Sequence, residues 1–525
     1  MQDQGKRLLL AVAAALGVLL LFQYFGPKDE KKPDPVAGSG SAATAKTTAE
    51  NIRLDVGPCV ANAEQPARGP EQFLDVTFEG RFSAKFSSYG AELVSWKLAD
   101  PRFGHDQTKG ELLPDRLKFP EKGAFGLGFT CDSSFQLPLH GEWKGERVSD
   151  TVIKYVYPAS PSPNDVFSVE KTFTFDPEAF AVRMVAKIAM NLPAGKEAYQ
   201  SLVFTTFEYQ DPKRAEEGAT GQSMARAWHS ATFRGEEVVA TPVTAMIKDR
   251  ADGMLRHEKA ISWSGFEHAY LMVMFAPRPA ATTEQFEKWS TASVDGLMHD
   301  GIFFPRQTVK AGDPAMTREV YAYLGPKNYK DLERAEDRAG FTTHLTAPID
   351  LGWFAFIGRP LMWLLLKFQS VVVNWGIAIM LLTILVKGAT LYWTTKSMRS
   401  MKAMAALGPE MKGLQAKYKD DKQRLQAETM ALYKTHKVNP IAGCLPILLQ
   451  MPIWLALYRM LSSAGELYQQ PFIPGWIDDL TAPDPTHILP AILVVTMFVQ
   501  ARLTLVSELD ATRRGVGGFG STGRR

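Results

Sequence analysis

The chain has 525 residues, 22% charged and 46% hydrophobic, a balance typical of folded protein that excludes wholesale disorder. Its formal net charge of +3 is too small to make nucleic acid the main partner. Three cysteines exclude a disulfide-dense scaffold, and no CxxC or HExxH spacing points to zinc.

Residues 8–25 read LLLAVAAALGVLLLFQYF, without a charge, directly after Lys6 and Arg7. At about 1.5 Å per residue such a helix reaches roughly 27 Å, close to the ~30 Å hydrocarbon core of a bilayer. Residues 1–26 therefore read as an uncleaved anchor, because bulky Phe22, Tyr24 and Phe25 stand where a cleavage site needs small residues. A cleavable signal peptide is the alternative. Lys6 and Arg7 place the N-terminus in the cytoplasm. Residues 27–70 are rich in Lys, Asp, Pro, Gly, Ser, Ala and Thr and poor in large apolar side chains, so they read as a flexible tether.

From Phe73 the apolar period changes to two. Residues 73–78, 81–86, 167–175, 182–190 and 269–275 read as strands, with Gly and Pro clusters between them. Residues 71–347 form a large all-β domain of sandwich type outside the membrane. Cys59 and Cys131 share that compartment, so a disulfide between them is open. Residues 328–338 make a short charged helix.

Residues 348–374 carry an amphipathic helix in which Arg359, Lys367, Ser370 and Asn374 form one polar stripe, the pattern of a helix lying in the interface. Spans follow at 375–393, 440–467 and 486–505, giving four with the anchor. The loop over 394–439 holds ten Lys or Arg against four Asp or Glu, whereas Glu466, Asp478, Asp479 and Asp484 mark the other side. The basic loop is thus cytoplasmic. Its Met398, Met401, Met404, Met411, Leu414 and Tyr418 recur at helical spacing, and Asp420-Asp421 caps a second helix, so it reads as an αα-hairpin. The methionines form a packing seam or a soft surface for apolar guests. The basic face is solvated or meets anionic lipid or ribosomal RNA. Residues 506–525 are a Gly/Arg-rich tail.

Lys387 carries the most functional information. It stands about six residues, or roughly 9 Å of helix, inside the cytoplasmic end of its span. A charge at a bilayer centre costs at least about 2.5 kcal/mol, so it either snorkels to the interface or faces a watery cavity. Thr383 lies one turn earlier on the same face, and Gln450 lies at similar depth in the next span. Together these three define a candidate hydrophilic substrate groove. Leu449, Met451, Ile453 and Trp454 offer an apolar track beside it, or else ordinary packing against lipid and core. No nucleophile–base pair, phosphate loop or metal cluster emerges, and the nine histidines form no HxxxH pair. The expectation is a protein without enzyme chemistry, cofactor, metal or small-molecule substrate. A membrane-anchored β-sandwich binding module for a glycan or peptide is the competing reading.

The motifs Asn374-Trp375-Gly376, Lys387, Asp421-Lys422-Gln423-Arg424, Ala431-Leu432-Tyr433-Lys434, Val438-Asn439-Pro440, Gly443-Cys444, Gln450-Met451-Pro452 and Ile488-Leu489-Pro490 resemble the YidC family of bacterial inner-membrane insertases. The resemblance implies a periplasmic β-supersandwich, a charged groove residue at Lys387, and Thr383 and Gln450 as groove-lining positions. It further implies insertion and folding of nascent membrane proteins into the lipid bilayer, alone or beside the Sec translocon, with the ribosome as a partner. Two departures stand out. The family more often carries Arg at the Lys387 position, and its Gram-negative members have six spans where four are visible here. A frameshift or a truncated natural form would explain the second, and either predicts a chain that is unstable and inactive without further spans.

Overall fold

The period-two alternation builds antiparallel strands whose inward residues meet across an aromatic core. The computed structural model describes residues 50–53, 60, 67–105, 109–160, 162, 165–217, 227–281, 283–349, 355–419, 421–436, 445–500 and 502. The N-terminal anchor and the Gly/Arg-rich tail lie outside the described residues, as do the first half of the tether and residues 437–444.

A 14-stranded sheet has as its main path Gly126–Phe129, Leu202–Tyr209, Leu297–Phe303, Phe286–Ala292, Met254–Glu267, Leu271–Pro277, Met316–Pro326, Ala181–Met190, Phe167–Asp176, Val152–Tyr157 and Lys144–Ser149. Strand Met254–Glu267 switches partners midway. Arg256 to Ile261 pair with Phe286–Ala292, and Ser264 to Glu267 pair with Leu271–Pro277. A bulge between Lys259 and Ile261 puts Ala260 at φ 55 and bends the strand at the switch. A separate three-stranded sheet, Phe73–Phe78, Phe82–Ser87 and Leu93–Leu98, faces the large one. Phe82 stacks on Trp96 at 3.9 Å, and Phe86 meets Phe173 at 4.6 Å and Phe175 at 5.9 Å across the gap. Such ring pairs add about 0.5–1.5 kcal/mol each to the burial itself.

The described residues of the tether, 50–53, 60 and 67–70, are not all free. Residues Glu50–Arg53 pair with Met254 to His257 as an added edge strand, and Val60 bridges Thr130. Arg68 pairs with Glu121 at 3.0 Å, and the Gly69 amide donates to Glu142 at 2.8 Å. The flexible reading fails there because main-chain pairing does not depend on apolar side chains. Cys131 is disulfide-bonded; Cys59 lies outside the described residues.

His299, on strand Leu297–Phe303, stacks on Phe207 at 4.4 Å, and its Nε2 is buried without a partner among the described residues. Burial, aided by Lys122 and Arg250, lowers its pKa to about 4. The unfolded chain then binds the proton more readily, so acidification through pH 6.5 toward about 4 withdraws stability, up to about 3 kcal/mol. Urea unfolding of the parent and of His299→Phe at pH 7 and pH 4.5 checks this. The variant is expected to lose less stability on acidification.

Among the described residues the helices are α1 (Pro212–Glu217), α2 (Val243–Ala251), α3 (Tyr329–Ala339), α4 (Ala355–Val372), α5 (Trp375–Ala406), α6 (Gly408–Lys417), α7 (Lys422–Thr435), α8 (Leu445–Ser463) and α9 (Ile488–Gln500). The helix expected in the interface, α4, is 18 residues long and apolar enough to cross a membrane. It buries Gly358, Leu361, Met362 and Leu365. Helix α5 does not stop at Trp393 but runs unbroken into the hairpin, whose arms are its tail, α6 and α7. Asp421 accepts from the Arg424 amide at 3.0 Å and caps α7 as expected. Tyr433 reaches the Met411 sulfur at 3.5 Å across the hairpin, so that methionine belongs to the seam.

The span expected over 440–467 also ends early. Helix α8 stops at Ser463, and Ala464 to Tyr468 turn back and bury themselves against the β domain. Tyr468 stacks on Tyr270 at 4.3 Å and on Phe103 at 5.7 Å. Asn328, the N-cap residue of α3, makes no capping bond. Glu466 Oε1 instead accepts from the Tyr329 amide at 2.8 Å. A carboxylate far away in sequence therefore caps this helix and joins it to the segment that follows α8. A Cβ at Gly465 would collide with the Lys327 carbonyl oxygen, which explains the glycine beside it. Glu466→Leu is expected to speed hydrogen exchange at the first amides of α3 by about fivefold, the worth of a cap, whereas Glu466→Gln, which keeps the acceptor, is expected to change it less.

Candidate functional site: a lysine on the exposed face of a long helix

Helix α5 starts at a defined point. Asn374 Oδ1 accepts from the Ile377 amide at 3.0 Å, and Asn374 Nδ2 donates to the Phe472 carbonyl at 3.1 Å. Any Cβ at Gly376 would meet the Phe472 ring. The motif Asn374-Trp375-Gly376 thus caps the helix and leaves room for the loop that follows α8.

Trp375, Ala378, Leu382, Val386 and Thr390 are the buried face of α5. Their spacing of three and four makes one stripe, packed against α4 and α8. Thr383 and Lys387 each follow a buried residue by one position, about 100° around the helix, and both are exposed. Their neighbours Ile384, Leu385, Leu391 and Tyr392 are exposed and apolar. The Thr383 hydroxyl donates to the Ile379 carbonyl at 2.8 Å, which satisfies its hydrogen and leaves its lone pairs outward.

Among the described residues no carboxylate lies within ion-pairing distance of the Lys387 ammonium. Gln450 lies half-buried on α8, and Met451 and Ile453 likewise. Trp454 is exposed and stacks on Tyr458 at 6.1 Å. Ala456 and Met460 form the buried side of α8. Leu449 is part of the helix, and its side chain lies outside the described residues. Pro452, inside α8, removes one rung of the helical ladder.

Lys387, Thr383 and Gln450 therefore sit on two packed helices, with no hydrogen bond joining them among the described residues. Ile488–Gln500, α9, is exposed along its length. Sequence reasoning missed the link through Glu466 and Tyr468, because a burial partner 137 residues away leaves no local pattern. No group of His, Cys, Asp and Glu suited to a metal occurs among the described residues.

The family described as 60Kd inner membrane protein matches residues 367–515, and the YidC periplasmic domain matches residues 79–364. A membrane protein insertase YidC of Syntrophus aciditrophicus (strain SB) is 31% identical over 530 residues, covering 96% of this chain and 91% of that protein. One from Vibrio cholerae serotype O1 (strain M66-2) is 30% identical over 530 residues, covering 98% and 91%. A solved structure described as a putative aldose 1-epimerase from Escherichia coli K12 overlaps 49% of this chain at 10% identity and a TM-score of 0.33, too slight a likeness to bear on function. The periplasmic-domain match alone spans more than half of the chain and falls on the β-rich region, and the 60Kd match contains Lys387, Thr383 and Gln450. The chain belongs to the YidC family of membrane protein insertases.

Proposed function

We propose that α4, α5 and α8 receive a nascent apolar segment, hold its polar flank beside Lys387, and release the segment into lipid along α8. Lys387 is the observation that carries this reading. A cation in the apolar stretch over 375–393, without a counter-ion among the described residues, costs at least about 2.5 kcal/mol at mid-bilayer unless water or an acidic group meets it. A groove open to the cytoplasm supplies the water, and an acidic flank of the substrate supplies the charge. Thr383 and Gln450 add polar groups at the same level, and Leu449, Met451, Ile453 and Trp454 form the apolar track. Burial of the substrate's apolar surface at about 25 cal/mol per Å² drives release without a nucleotide.

The charge pattern supports the topology. The basic hairpin over 394–439 lies in the cytoplasm, while the β domain and the Asp478–Asp484 loop lie in the periplasm of an inner-membrane protein with several spans. The ribosome and the Sec translocon are the partners on the two sides of the handover, the first at the hairpin and the second beside the spans.

A photo-crosslinking amino acid tests the groove. Placed at 387 or 450, it is expected to capture a ribosome-bound nascent membrane protein; placed at the buried position 456, it is not. Equal capture from all three positions would dissolve the groove into general lipid-side contact.

A further inference from the structure

The β domain contains a cleft of ≈ 730 Å³, far from Lys387 in the chain and lined by side chains of several elements. Phe73 and Lys85 come from the three-stranded sheet, Arg116 from the loop after it, Glu208 from strand Leu202–Tyr209, Asp211 from the start of α1, and Trp228 from the segment before strand His229–Arg234. That volume falls within the ~300–1,000 Å³ of small-ligand sites.

One group in it is incomplete. Glu208 is 4% exposed, and its Oε1 accepts from the Tyr209 amide at 2.8 Å. Its Oε2 is buried with no hydrogen-bond partner among the described residues. The neighbouring Glu111 differs: it accepts from the Ser95 hydroxyl at 2.5 Å and from the Trp96 amide at 2.8 Å. An orphaned carboxyl oxygen at a cleft wall is costly unless a ligand completes it. Burial, together with the charge of Glu111, pushes the Glu208 carboxyl well above the usual range. A neutral carboxyl offers one donor and one acceptor, which is what a hydroxyl group also offers.

The rest of the wall narrows the ligand. Phe73 is 44% exposed, with Lys85 5.5 Å and Arg116 5.3 Å from its ring centre. Lys85 pairs with Asp75 at 3.6 Å and Arg116 with Glu71 at 2.6 Å, and Asp115 and Asp211 stand in the wall with Lys109 and Arg214, so the wall selects neither an anion nor a cation by net charge. Aromatic faces beside alternating donors and acceptors suit a ring with apolar C–H faces and hydroxyl edges. An extended peptide that binds by strand addition would need a free sheet edge. The edge of strand Leu93–Leu98 nearest the cleft is already used: the Leu93 and Ala124 amides exchange bonds at 2.9 Å, and the Leu112 amide donates to the Trp96 carbonyl at 3.0 Å.

We propose that this cleft binds a neutral carbohydrate of one or two rings, with Glu208 completing its hydrogen bonds to the sugar hydroxyls and Phe73 covering a sugar face. This is a second site, independent of the insertion groove.

The test uses the full chain in lipid nanodiscs, with maltose and N,N′-diacetylchitobiose as neutral disaccharide probes and tetra-alanine as a peptide probe. Binding is followed by saturation-transfer NMR and calorimetry. At least one disaccharide is expected to bind saturably. Glu208→Gln, which keeps a donor and an acceptor, is expected to hold affinity within about threefold. Glu208→Leu and the exposed-site change Phe73→Ser are each expected to weaken it by about fivefold or more. Phe73→Ser keeps the test open should the buried change fail to fold. Three results would overturn the proposal: no saturable binding of either sugar, sugar binding that Phe73→Ser leaves unchanged, or tetra-alanine competing for the cleft more strongly than both sugars.

Discussion

Lys387→Glu is expected to reduce insertion of a substrate with an acidic translocated flank by at least about tenfold, while leaving a substrate with a neutral flank much closer to normal. Two unit charges about 6 Å apart at an effective dielectric of about 20 interact by roughly 3 kcal/mol, and reversing one sign moves that term from attraction to repulsion. Water in the groove screens part of it, which makes tenfold a lower bound. Lys387→Arg keeps the charge and is expected to retain most activity; the planar guanidinium only changes the donor geometry. Lys387→Leu separates the two meanings of the residue. If the ammonium attracts the flank, Leu is expected to impair the acidic substrate alone. If the side chain only snorkels to the interface, Leu removes a burden and insertion stays at the parental level. Protease protection of both substrates in proteoliposomes made with each variant reads the difference. The lysine stands on the exposed side of α5, and the packed face one position away is untouched by any of these changes. A folding defect would therefore affect both substrates equally and be recognised as such.

What the sequence made legible follows the range of the underlying forces. Strand Phe73–Phe78 and helix α7 are set by alternation and by an aspartate cap, both local, and both appear where the pattern placed them. Strand Glu50–Arg53 escaped notice because its stabilisation is main-chain pairing with Met254 to His257, some two hundred residues on, which composition does not record. The early end of α8 escaped for a similar reason. Ala464 to Leu467 read as the end of the span over 440–467, but they are buried beside the β domain, where the next residue, Tyr468, stacks on Tyr270 and Phe103. Lys387 was legible because a charge within a long apolar run is conspicuous in one dimension. Glu208 was not, since a carboxyl beside Tyr209 looks like any surface acid until the fold buries it. The candidate groove was thus half visible: which residues are polar could be read, but which helix faces carry them required the packing of α5 on α4 and α8.

The largest stability effect is expected inside the β domain, at a lysine that is buried where Lys387 is exposed. Lys288 lies 2.9 Å from Asp300, and the two side chains are 1% and 0% exposed. The ammonium also donates to Ser230 at 2.7 Å and to Thr232 at 2.6 Å, while Asp300 accepts from Ser230 at 3.0 Å and from Ser264 at 3.1 Å. These five residues come from four strands, so the cluster ties the large sheet together at one point. Lys288→Met is expected to cost about 3–5 kcal/mol, because it strands a buried carboxylate. Lys288→Met combined with Asp300→Leu is expected to cost less than Lys288→Met alone, since no charge is then left without a partner. The pH dependence separates this cause from a simple packing defect. Burial pushes the Asp300 carboxyl above its ordinary value of 3.8, and only Lys288 and the serines pull it back. Without Lys288 the folded-state value rises further. The folded chain then holds the proton more tightly than the unfolded one, so the Lys288→Met deficit is smallest below the unfolded value and grows as pH rises through the folded one. The double variant has no such carboxyl and is expected to show a flat difference from the parent over the same range. Urea unfolding followed by near-ultraviolet circular dichroism at pH 5 and pH 8 reads all three proteins. A Lys288→Met deficit that stays constant between the two pH values would mean that lost packing, rather than the stranded charge, is what destabilises the sheet.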